Sequence, residues 1–88
     1  MQEKKPPLTI RLSRAARAYL GWTIADLARR AGVDPNTIER WENNRTRPRE
    51  TTREALRKAF EDAGIVFTNH GEPGLKHRRS STEGLDSD

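Results

Sequence analysis

The feature that most restricts this chain is a pair of short helical patterns joined through one glycine: TIADLARRA, then Gly32, then VDPNTIERWENN. Both segments carry start signals. Thr23 with Asp26 three residues later makes a shortened capping box, and Asp34 followed by Pro35 puts an N-cap acid before a proline at the first helical position, where its missing N–H costs little. Gly32 supplies the positive φ that stops the first segment. Leu27, Ala28 and Ala31 then share one face, and Ile38 and Trp41, three apart, share a face of the second helix. The second helix is expected to finish at Asn43 and Asn44, because asparagine tolerates the left-handed conformation.

Around this pair there is little left to fold. The chain has 88 residues, 32% hydrophobic and 34% charged, which limits it to one small domain with a single modest core. Thr9 can cap a helix through IRLSRAARAYL to Gly21, with Leu12, Ala16 and Leu20 at four-residue spacing. The alternation of Leu8, Ile10 and Leu12 with Thr9 and Arg11 also allows a short strand, with Ser13 capping a shorter helix; the helix is favoured. After RTRPR, Thr51 and Glu54 spell a capping box for a fourth helix whose Ala55, Leu56, Ala59, Phe60 and Ala63 share a face, with Gly64 as its stop. Then the period changes: IVFT is β-branched and aromatic, NHGEPG is turn chemistry, and LKHR can return as a second strand. The expected fold is mainly α, four helices with a short C-terminal β-hairpin. Its parts are a flexible arm at 1–8, a helical domain at 9–64, a hairpin at 65–79 and a disordered acidic tail at 80–88.

Several function classes fall away. Without cysteine there is neither a disulfide framework nor a thiolate metal site, and a reducing compartment is the default. No apolar run is long enough to span a bilayer, and MQEKKPP lacks the apolar core of a signal peptide, so a soluble cytoplasmic protein is expected. His70, Glu72 and His77 share the C-terminal segment, but two histidines and one acid in a Gly/Pro turn read as a solvated hairpin; neither catalysis, a metal nor a cofactor is expected. Charge is distributed unevenly. All 17 bases lie at or before Arg79, whereas Glu83, Asp86 and Asp88 follow it, so residues 1–79 set 17 bases against 10 acids, a net +7. A polyanionic partner and a merely solvated surface both fit that balance.

Spacing separates them. A helix-turn-helix needs a small residue where its helices touch, a turn residue able to take positive φ, and apolar anchors for the second helix; Ala28, Gly32, then Val33, Ile38 and Trp41 meet those needs, although an αα-hairpin serving only as core would want some of them. From residue 17 to 63 the chain resembles the Cro-like, phage-repressor-type helix-turn-helix family, also called XRE. The matching residues are Arg17 and Gly21 in R-x-x-x-G, LARRAGV at 27–33, TIERWENN at 37–44 and RTRPR at 45–49.

The resemblance implies a sequence-specific regulator of transcription bound to double-stranded DNA, with helix 34–43 in the major groove. Asn36, Thr37 and Arg40 would then read bases: arginine pairs bidentately with guanine, asparagine with adenine, and the threonine methyl contacts thymine. Thr23, Asn43, Arg45, Arg47 and Arg49 would hold phosphates, the last three in a loop without an acid. Arg17 and Glu42 correspond to an ion pair in relatives. Three departures stand out: Ile24 replaces a glutamine that touches DNA, Asn44 replaces a glycine, and Arg53 sits where relatives often bury leucine.

The segment IVFTNHGEPGLKHR resembles the tails of some short family members and implies a homodimer through 65–78, with Ile65, Val66, Phe67 and Leu75 at its interface; a hairpin packed on the fourth helix of its own chain is the alternative. Together these features indicate a dimeric repressor on an inverted-repeat operator. The rival is an antitoxin-like regulator whose main partner is another protein, docked through the acidic C-terminal segment. Sequence-independent coating of single strands would need an exposed aromatic series that the chain lacks.

Overall fold

The strand-or-helix ambiguity at the start of the chain is resolved by one hydroxyl. Thr9 Oγ1 accepts from the Leu12 amide at 3.1 Å, and Ile10–Leu20 forms a helix, α1. The computed structural model describes residues 8–68 and 74–77. After α1 come α2 (Ile24–Ala31), α3 (Pro35–Glu42), α4 (Glu50–Asp62), β1 (Ile65–Thr68) and β2 (Gly74–His77). Leu8 is 5% exposed and part of the core, so the folded unit begins inside what composition reads as the arm. The arm at 1–7, the acidic tail at 80–88 and the side chains of His70, Glu72, Leu75 and His77 lie outside the described residues.

Caps define the helix-turn-helix. The Thr23–Asp26 box is reciprocal: Asp26 N–H donates to Thr23 Oγ1 at 3.0 Å, and Thr23 N–H donates to Asp26 Oδ2 at 2.9 Å. Gly32, at φ 70, turns the chain left-handed into α3, whose N-cap Asp34 accepts from the Asn36 amide at 2.8 Å. At the far end of α3 the Arg45 amide returns to the Arg40 carbonyl at 2.7 Å and the Asn44 amide to that of Trp41 at 2.8 Å, a Schellman closure with Asn44 left-handed at φ 60.

The start of α4 corrects the sequence reading. Thr51 does not cap it. The helix begins at Glu50, and Arg49 is the N-cap without a side-chain hydrogen bond, its carbonyl taking the Thr52 and Arg53 amides at 3.0 and 3.1 Å. Starting there places the Glu50 carboxylate in the first turn, against the positive end of the helix dipole, and makes Thr51 an ordinary helical residue.

Leu27, Ile38, Leu56 and Phe60 are fully buried where the helices meet, with Leu12, Ala16, Ala28, Trp41 and Ala59 around them. Trp22, in the turn between α1 and α2, stacks on Phe60 (centroids 5.7 Å apart, planes 16° apart), and Phe67 of β1 meets Phe60 edge-on at 6.0 Å. The Arg30 guanidinium lies over the Trp22 ring, 4.6 Å from its centroid. This stack joins α2, the first turn, α4 and the hairpin. The strands pair antiparallel within one chain, Ile65 opposite His77 and Phe67 opposite Leu75. Ile65 and Phe67 are buried, while Val66 and Thr68 are half-buried. Burying each such core side chain contributes roughly 1.5 to 3 kcal/mol, so β1 is part of the core and not an appendage.

Candidate nucleic-acid interface

The two sides of α3 differ completely. Ile38 (0% exposed) and Trp41 (6%) hold one side in the core, where α3 packs on α1 and α2. On the other, Asn36, Glu39 and Arg40 are exposed and Thr37 is half-buried. Among the three residues expected to read bases, the helix thus leaves Asn36 and Arg40 exposed and Thr37 half-buried. Because the Asp34 side chain already serves the Asn36 backbone amide, the local capping role of this turn is filled without the Asn36 side chain.

The end of α3 is pinned by a network that extends beyond the expected pair. Arg17 grips the Glu42 carboxylate with both arms of its fork, Nη2 to Oε1 at 2.6 Å and Nε to Oε2 at 3.2 Å. Ser13 Oγ donates to Oε2 at 2.6 Å. Arg17 Nη1 also donates to the Trp22 carbonyl at 3.2 Å, so one guanidinium ties α1 to the end of α3 and to the residue preceding the α2 cap. Ser13 was missed by sequence reasoning. The available signal was its position one helical turn before Arg17, which points both side chains at the same partner.

Beyond α3 the loop is strongly cationic. Asn43, Arg45, Arg47 and Arg49 are all exposed, and no carboxylate lies in 43–49. Beside it opens a cleft of about 360 Å³ lined by Ile10, Trp41, Asn44, Arg45, Thr46 and Arg47. The opposite flank, at the start of α2, has a different character. Thr23 is exposed, but its amide and hydroxyl oxygen are engaged by Asp26, whose carboxyl is held below its ordinary value first by the Thr23 amide, then by Arg29 at 2.9 Å and by the Thr23 hydroxyl. A phosphate at this helix end would meet a carboxylate. Ile24, half-buried, packs on the core instead of facing outward as a polar contact.

The residues expected at a dimer interface are divided. Ile65 and Phe67 are occupied by the core of their own chain, Val66 is half-buried on the alternate face of β1, and Leu75 pairs with Phe67 in the ladder. Among the described residues no group of three or more His, Asp or Glu could hold a metal, and no helix is long and apolar enough to cross a membrane.

Comparison with known proteins adds one finding to this geometry. The profile of the helix-turn-helix family matches residues 14–61, from α1 through nearly all of α4. No curated protein sequence matches the chain.

Proposed function

We propose, from the premise that this chain belongs to the Cro-like (XRE) helix-turn-helix family of DNA-binding transcription regulators, that it is a dimeric cytoplasmic repressor reading an inverted-repeat operator with α3 in the major groove. The observation that carries the reading is the division of α3. Its inner side is locked by Ile38, Trp41 and the Glu42 network, while Asn36 and Arg40 stand exposed beside a loop of three arginines.

Each role follows from side-chain chemistry. Arg40 pairs with the two acceptors of guanine, Asn36 with the donor and acceptor of adenine, and Thr37 offers a methyl to thymine. Arg45, Arg47, Arg49 and Asn43 hold phosphates and set register without choosing sequence. Thr23 contributes through its hydroxyl, against the opposing charge of Asp26. The second copy is brought in through Val66 and the outer edges of a two-stranded sheet, since Ile65 and Phe67 are used internally. Two-fold symmetry then places half-sites about 10 base pairs apart or a multiple of that. Repression requires only occlusion of polymerase.

Selection of bound sequences from a random duplex pool at physiological salt tests this. Enrichment of an inverted repeat is expected; salt-sensitive binding with no enriched sequence would overturn it.

A further inference from the structure

We infer that the cleft beside the α3–α4 loop receives this chain's own acidic segment 83–88, EGLDSD, which thereby competes with DNA phosphates for the same arginines. This rests on the reading above and adds its regulation. The cleft has two chemical halves. Ile10 and Trp41 line it with apolar surface, and Arg45, Arg47, Thr46 and Asn44 line it with polar groups. The matching occupant is an anionic extended peptide carrying one apolar side chain.

Segment 83–88 has that composition. Glu83, Asp86 and Asp88 surround Leu85, the one large apolar residue in 80–88, and no base lies among them. The loop supplies the complement, three arginines at 45–49 without a carboxylate. Length allows the contact. Leu85 follows His77 by eight residues, a reach of up to roughly 26 Å when extended. β2 lies against α1, whose 11 residues span about 16 Å and whose first residue, Ile10, lines the cleft. A tethered segment at this distance has an effective concentration on the order of millimolar, enough to populate a weak contact built from several charges.

The test uses the full chain. DNA affinity by fluorescence anisotropy is compared for wild type, the combined E83Q/D86N/D88N variant and Leu85→Ala, at low and high salt, together with the backbone amide NMR shifts of Ile10, Thr46 and Arg47 without DNA. Neutralising the acids should tighten duplex binding about three- to tenfold at low salt, with the difference vanishing once screening is strong. Leu85→Ala should tighten binding as well, and both variants should shift the three amides. Tighter binding in the charge variant alone, with Leu85→Ala and the amides unchanged, would overturn docking in the cleft in favour of diffuse repulsion. Amide shifts in both variants of a protein that does not bind duplex DNA would uphold the docking and overturn the DNA reading instead.

Discussion

Replacing Arg17 by alanine strips the main cation from a carboxylate that folding has already removed from water. The Glu42 side chain is 2% exposed and holds hydrogen bonds from Arg17 Nη2, Arg17 Nε and Ser13 Oγ at 2.6, 3.2 and 2.6 Å. Removing one partner of a buried pair costs on the order of 3 to 5 kcal/mol. Two features reduce that here. Ser13 still donates, and Arg14, 58% exposed with Nε 3.8 Å from Oε1, can swing toward the carboxylate. The expected loss is therefore about 2 to 3 kcal/mol, which in a domain of this size lowers Tm by roughly 10 to 20 °C. Urea unfolding followed by far-ultraviolet circular dichroism measures it. Ser13→Ala should cost about 1.5 to 3 kcal/mol, the range for a hydrogen bond to a charged group. Converting the cluster to apolar residues together, Ser13→Ala, Arg17→Met and Glu42→Leu, should recover most of the loss, because no stranded charge remains. A cost below about 0.5 kcal/mol for Arg17→Ala would refute the reasoning, since a desolvated carboxylate cannot lose its principal partner so cheaply.

Other consequences can be measured separately. Asp26 titrates below its ordinary value in the folded chain, so its contribution is complete above the unfolded carboxylate range and is lost as pH falls through the folded pKa; Asp26→Asn should lower Tm at pH 7, and the gap to wild type should close on acidification below about pH 4. Asn44→Ala, at φ 60, should destabilise by about 1 kcal/mol in denaturant titration, the cost of a Cβ in the left-handed region without asparagine's local compensation. Phe67→Ala should cost about 3 kcal/mol or more, independent of protein concentration, because its ring is buried against Phe60 of the same chain. In binding assays Arg40→Ala should lose roughly 1 to 3 kcal/mol and relax preference at one base position, whereas Arg47→Ala should weaken all sites alike and flatten the salt dependence; identical behaviour would reject the division of roles.

What the sequence makes legible here is mostly what neighbouring residues decide. The Thr23–Asp26 box, the Asp34–Pro35 start and the left-handed stops at Gly21, Gly32 and Asn44 each depend on a few adjacent residues, and each is present. The beginning of α4 escaped because two starts compete within one turn: Thr51 with Glu54 satisfies a local pattern, but beginning at Glu50 gains helical residues and a favourable charge at the dipole. Leu8 and Arg57 escaped for a different reason. Leu8 belongs to a polar, proline-rich stretch, and Arg57 is a cation on α4, yet each is only 5% exposed, which their own neighbours in sequence do not signal. Ser13 is similar, its acceptor lying 29 residues away. The hairpin shows both limits: the change of period reveals its strands, but pairing within a chain or between chains depends on surfaces that no local pattern encodes.

The segregation of α3 into a locked side and an open side also bears on how such a protein changes over generations. Substitution of an exposed side chain usually moves stability by no more than about 0.5 kcal/mol, and Asn36 and Arg40 are exposed residues that join the caps of α3 through backbone atoms. Their identities can drift or be selected at almost no cost to folding, while Ile38, Trp41 and Glu42, interleaved with them in the same eight-residue helix, cannot. Neighbouring codons along one short stretch therefore evolve under different rules, and on the function proposed above recognition changes while the scaffold does not.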